Sequence, residues 1–251
     1  MIKTFNLDKV GTDGYSVLAY GEAANGKTHL IGDMLNTEKA NGPVLYINIE
    51  GEDGMLTLSK LGLGGIGVTV TDYDDLANLV ADRIKSGKRD AAWGIDSLQM
   101  VAKLAMKKVT GSDRMPQIVA GSPVNEWQET HRLVEKIVRD TRKAARLVLF
   151  ACSIDKTGDM LDLSGKPKPK YIAPNLPGKE AQEVAYWFDF VGELRCQATG
   201  PGVYTRKFDM VKDNIHIVRQ RLPKMIMSAI PILDGSGGWA AIKAKIEEHG
   251  G

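Results

Sequence analysis

The chain has 251 residues, 43% of them hydrophobic, and its 33 Lys and Arg against 31 Asp and Glu leave a net charge of +2. That apolar share excludes a disordered chain, and the near-balanced charge excludes a polybasic nucleic-acid binder, so any such binding must come from local patches. Cys152 and Cys196 are too few for a disulfide framework or a zinc cage and read as buried free thiols. No apolar run approaches the ~18 residues of a membrane span, and Met1-Ile2-Lys3-Thr4 opens no signal peptide, so a soluble, cytoplasmic protein without a membrane partner is expected.

Tyr15 to Tyr20 reads as a short buried strand. It runs into Gly21-Glu22-Ala23-Ala24-Asn25-Gly26-Lys27-Thr28, and a helix from His29 to Asn36 leaves that loop. After the Asn41-Gly42-Pro43 turn, Val44 to Ile49 is a β-rich apolar run ending at the acidic loop Glu50-Gly51-Glu52-Asp53-Gly54. Val68 to Val70 is a further strand. Asp72 and Asp74 can cap the next helix, whose Leu76, Leu79, Val80 and Ile84 keep helical spacing. Ala91 to Ile95 runs into Asp96-Ser97. Ser122-Pro123 suits a helix start, and Trp127, Val134, Ile137, Val138 and Ala145 form one face beyond it. Leu147 to Cys152 suits a parallel strand buried on both faces.

From Gly158 to Lys179 regular patterning stops, and Lys166-Pro167-Lys168-Pro169-Lys170-Tyr171 cannot be helical. A short helix (Ala181 to Trp187), strands near 188–196 and 202–210, and a terminal helix at 238–248 complete the chain. Alternating strand and helix with short connections predicts an α/β fold. We expect one domain over 1–251, with a doubly wound, mostly parallel sheet and β hairpins appended late.

The stretch from Gly21 to Thr28 fits G-x-x-x-x-G-K-[ST], the loop that wraps nucleoside triphosphate phosphates. Its glycines let successive amides turn toward an anion, and the helix that follows favours negative charge at its start. Lys27 can reach the β- and γ-phosphates, and the Thr28 hydroxyl can ligate Mg²⁺. Asp96 ends an apolar strand, where ligands of open α/β sheets gather, and can hold the same metal through water. Glu50 is the preferred carboxylate to orient water because it ends a strand; Glu52, further out in the loop, is the alternative. His29, His131, His216 and His249 lack metal spacing, and Trp93, Trp187 and Trp239 read as core.

Four stretches in order give the chain a family likeness: Gly21–Thr28, Tyr46–Glu50, Gly94–Ser97 and Val148–Ser153. It resembles the RecA-like ATPases, and within them the small phage nucleotide-binding proteins linked to single-strand annealing and recombination. The resemblance spans roughly residues 12 to 225 and implies a RecA-like core with ATP and Mg²⁺. It implies that Gly21, Glu22, Ala23, Ala24, Asn25, Gly26, Lys27, Thr28 and His29 surround the phosphates and that Glu50 activates water. Ser153 would sense the γ-phosphate, although RecA proper has a glutamine there and serine is shorter. A lysine reaching the neighbouring subunit's ATP would be Lys212, with Arg206 and Lys207 as alternates. The filament-forming N-terminal helix of RecA proper has no counterpart.

Two loops of RecA-like proteins hold single-stranded DNA. Here the first would lie within 103–121, with Lys107, Lys108 and Arg114. The second would be the irregular region from Asp155 to Lys179, with Lys166, Lys168, Lys170 and Tyr171. Lysines tracking phosphates beside a stacking aromatic suit sequence-tolerant single-strand binding. The expectation is a DNA-stimulated ATPase promoting annealing or strand pairing, as a homo-oligomer with ATP at subunit interfaces and a single-strand-binding protein as a further partner. A nucleotide-gated loader with little turnover, or a DNA motor, is the alternative.

Overall fold

The computed structural model describes residues 14–49, 58–59, 62, 66–118, 125–161, 167–177, 180–200, 203–213, 215–232 and 238–250. Its strands are β1 (Ser16–Gly21), β2 (Val44–Ile49), β3 (Ile66–Val70), β4 (Asp90–Asp96), β5 (Ala145–Leu161), β6 (Pro167–Pro174), β7 (Phe190–Gly200), β8 (Val203–Asp209), β9 (Arg219–Gln220) and β10 (Ile230–Ile232). The helices are α1 (Lys27–Glu38), α2 (Tyr73–Lys85), α3 (Leu98–Thr110), α4 (Glu126–Ala144), α5 (Glu180–Glu183) and α6 (Gly238–Glu248).

The sheet runs β10-β8-β7-β1-β5-β4-β2-β3, and its six strands from β7 to β3 are parallel. β8 returns antiparallel on β7, and β10 on β8, the late hairpin expected from the sequence. This is the α/β fold with a mostly parallel sheet. Successive side chains of a strand point to opposite faces, and both faces are covered here. Leu18, Tyr20, Trp93, Ile95, Val148 and Phe150 pack beneath α2, α3 and α4. Val17, Ala19, Ala92, Leu147 and Leu149 pack beneath α1 and α6. Strands sandwiched in this way must be apolar throughout, as Val148 to Cys152 are. α1 comes close to the sheet because β4 has no side chain at Gly94: a Cβ there would lie 2.2 Å from Ile31 Cγ2. That contact fixes the helix that leaves the phosphate loop.

Four expectations need correction. Within the region from Gly158 to Lys179 the described residues are largely regular strand, since β5 runs on to Leu161 and pairs antiparallel with β6. Prolines 167 and 169, two residues apart, share one edge of β6, which pairs antiparallel with β5 and is bridged on its other side from Ile172 to His216. The fourth helix starts at Glu126, not at Ser122-Pro123, which lie outside the described residues. Asn125 caps it, its side-chain oxygen accepting from the amides of Trp127 and Gln128. Ala145, grouped with that helix, begins β5. Cys152 is buried, but Cys196 is only half-buried and lines a polar cavity. Among the described residues no helix is long and apolar enough to cross a membrane.

Candidate functional site

β1 delivers Gly21 to the carboxyl end of the sheet, and the loop from Glu22 to Gly26 turns the chain into α1. Ala24 (φ 63°) and Gly26 (φ 90°) both adopt left-handed backbone. Such residues among right-handed ones make a nest of converging amides. α1 has no side-chain cap and no acid in its first turn, so its leading N–H groups and dipole are left for an anion. Lys27 Nζ donates to the carbonyls of Gly21 (2.9 Å) and Glu22 (2.7 Å), which folds it back over the loop. His29 follows, half-buried in the first turn.

Thr28 and Asp96, 68 positions apart, meet: Thr28 Oγ1 donates to Asp96 Oδ2 at 2.7 Å. Tyr46 OH donates to the same oxygen at 3.1 Å. Asp96 is 4% exposed. Burial pushes its carboxyl up from the usual range, against the bonds from Thr28 and Tyr46 and the charge of Lys27. A buried carboxylate beside a threonine hydroxyl is a hard oxygen donor pair of the kind that holds a small divalent cation. Glu50 and Glu52 lie outside the described residues. β2, which Glu50 follows, is in register with β4, Asn48 opposite Asp96.

Ser153 lies opposite Gly21 in the β1–β5 register. Its amide (2.6 Å) and its hydroxyl both donate to Gln99 Oε1, in the first turn of α3. The helix that follows Asp96 is thereby tied to the strand end beside the loop. Further along β5, Lys156 forms an ion pair with Glu22 and holds that carboxyl below its usual range.

On the other flank, Asn25 Nδ2 donates to the Leu194 carbonyl of β7 at 2.8 Å. The Arg206 side chain from β8 lies against the loop: a Cβ on Gly26 would sit 3.1 Å from Arg206 Nε. A polar cavity of about 540 Å³ adjoins, with Glu22, Asn25, Arg195, Lys207 and Asp209 in its wall. Arg195 bridges Glu193 (2.7 Å) and Asp209 (3.2 Å) there. Lys212 is exposed on the segment after β8.

The sequence missed Tyr46, Gln99 and Lys156. No local pattern marks them, since each reaches the site through tertiary packing from a different element.

The residues expected to meet DNA fare unevenly. Lys107 and Lys108 are not in a loop, because helical spacing of Leu98, Val101, Ala102, Leu104 and Ala105 carries α3 to Thr110. Lys107 pairs with Asp113 (3.7 Å) and Lys108 with Asp74 (2.5 Å). Arg114 grips both oxygens of Glu126, at 2.6 and 2.8 Å, which with the Gln117 amide holds that carboxyl down at about 2. Tyr171 is half-buried against the core rather than standing free for stacking. Lys168 and Lys170 take positions on β6, Lys168 opposite Met160, while Lys166 lies outside the described residues.

A parallel sheet with a lysine-bearing anion loop at one strand end, and a threonine–aspartate pair beside it, defines a P-loop NTPase. The family described as AAA domain matches residues 13–222, and the chain belongs to it. Among solved structures, the chain is similar to the flagellar accessory protein FlaH from Methanocaldococcus jannaschii. The two are 10% identical over 87% of this chain and 84% of that one, with a TM-score of 0.50, a likeness of fold alone. No curated protein matches the sequence.

Proposed function

We propose that the protein binds and hydrolyses ATP with Mg²⁺, binds single-stranded DNA and promotes annealing or strand pairing in phage recombination. In this reading it works as a homo-oligomer with ATP at subunit interfaces. The supporting observation is the continuity of β5. One strand sets Ser153 beside Gly21, carries Lys156 to Glu22 of the phosphate loop, and then pairs with the strand bearing Lys168 and Lys170.

The residues fit the groups they would hold. Thr28 and Asp96 would hold Mg²⁺, whose chemistry is to neutralise and orient the phosphates. Lys27 would exchange its two carbonyl partners for phosphate oxygens. Glu50 would orient water, and Lys212 of a neighbouring subunit would offset charge developing on the transferred group. Phosphate at the loop would compete with the Glu22 carboxylate for Lys156, and the hairpin would feel that exchange directly. Nucleotide state and DNA grip would be coupled by a charge swap.

The test is ATP hydrolysis by the purified protein with and without single-stranded DNA. Stimulation is expected, and Lys156→Ala should lose most of it. Hydrolysis indifferent to DNA would overturn the DNA reading and favour a nucleotide-gated assembly module.

A further inference from the structure

A second cavity, of about 590 Å³, lies where the first turns of α4 face α5, and no phosphate-loop residue lines it. Its wall includes Ile118, Trp127, Gln128, His131, Glu180 and Glu183. Glu180 is 3% exposed, and among the described residues neither of its carboxylate oxygens has a hydrogen-bond partner. Two neighbouring polar groups are committed elsewhere. His131 Nε2 faces Glu183 at 3.3 Å, and its ring meets Trp187 edge-on at 4.9 Å. The Asn125 side-chain oxygen caps α4. Buried polar atoms are nearly always paired, so a carboxyl left alone in a cavity wall calls for a reason.

Burial, and then the charge of Glu183, push the Glu180 carboxyl up to about 7. Glu183 on its own helix and His131 across the cavity are the titratable groups facing it. Such a carboxyl is satisfied either by a proton or by a cation that brings its own donors. A guanidinium or ammonium supplies both charge and donors, and an indole attracts a cation as well. Ile118, 77% exposed at the rim, offers apolar surface for a methylene stem.

We infer that this cavity binds a cationic amine or guanidinium on an apolar stem, with the head group on Glu180 and the stem against Trp127 and Ile118. The site takes positive charge, so it is separate from the proposed DNA contacts and stands or falls independently of them. Binding needs the carboxylate, so it releases a proton and tightens as pH rises through 7.

The probe is n-butylguanidinium, titrated into the isotopically labelled protein while the Trp127 indole N–H resonance is followed. The dissociation constant should fall about tenfold between pH 6 and pH 8, as a carboxyl titrating near 7 goes from mostly protonated to mostly ionised. Uncharged n-butylurea should leave the resonance in place. Glu180→Gln should abolish binding without lowering the melting temperature, and Trp127→Leu should weaken it while the carboxylate remains. Cadaverine and N-acetylarginine amide then separate a free diamine from a side chain presented by a partner protein. No shift with n-butylguanidinium at pH 8, or undiminished binding by Glu180→Gln, overturns the inference. So does Glu180-dependent binding of cytidine in preference to the cation, which would mark a nucleobase site.

Discussion

Lys27 donates to two carbonyls of its own loop, so its removal costs little folding stability while stripping a flexible cation from the phosphate cradle. Lys27→Ala should fold normally and lose ATP turnover by roughly 100-fold or more, the scale of removing a preorganised donor from developing negative charge. A variant that still turned over at the wild-type rate would refute the site. Glu180 makes a prediction of opposite kind, about stability. Its folded-state pKa is about 7 against the ordinary 4.5, so the folded protein holds this proton more tightly than the unfolded chain. The benefit is full below 4.5 and is lost as pH rises to about 7. The folded state is then about 3 kcal/mol worse off than with a neutral group there. Urea unfolding at pH 5 and pH 8 should show this loss in the wild type and not in Glu180→Gln. Parallel curves for the two proteins would contradict it. Thr28 and Asp96 were legible from sequence because their spacing from strand ends is itself a pattern. Gln99 and Tyr46 were not, since a glutamine in a helix and a tyrosine in a strand are ordinary until packing brings them to Ser153 and Asp96.

The β5–β6 hairpin is the element that local sequence concealed. Prolines at alternate positions and a run of lysines look like a loop, and it takes the partner strand from Ile154 to Leu161 to make them a strand. Its chemistry survives the change of shape. Replacing Lys166, Lys168 and Lys170 together by Ala should weaken single-strand binding and make the slope of log affinity against log salt shallower by about 2. Unchanged affinity at two salt concentrations would remove the hairpin from the DNA reading. The first helix was legible almost end to end, because the phosphate motif announces where it starts. Its seat on the sheet was not, as that depends on Gly94 leaving room for Ile31. Gly94→Ala should cost about 1–3 kcal/mol by overpacking. Since α1 carries Lys27 and Thr28, it should also raise KM for ATP, separating it from substitutions that only destabilise. The start of α4 was misplaced because Ser-Pro reads as a cap on its own, whereas it is the Asn125 side chain that takes the amides of Trp127 and Gln128.

Across the whole molecule, alternating strand and helix with short connections made a mostly parallel sheet legible, but the strand order β3-β2-β4-β5-β1-β7 was not, because alternation alone does not fix which strands become neighbours. How copies of the chain meet was not legible either, because an interface is a relation between surfaces and leaves no periodicity. Lys212, exposed beyond β8, brings that question to a single residue. If it serves a neighbour's nucleotide, Lys27→Ala and Lys212→Ala each inactivate every site in their own oligomer, but by removing different halves of it. Mixing them creates interfaces where the phosphate loop comes from the Lys212→Ala chain and the lysine from the Lys27→Ala chain. With random head-to-tail assembly, roughly a quarter of interfaces are whole, and the mixture should recover about that share of wild-type ATPase activity. A lysine acting within its own chain predicts no recovery at any mixing ratio, because no chain then carries both residues. Recovery that rises with protein concentration would further tie the activity to assembly, since the composite site exists only where two chains touch.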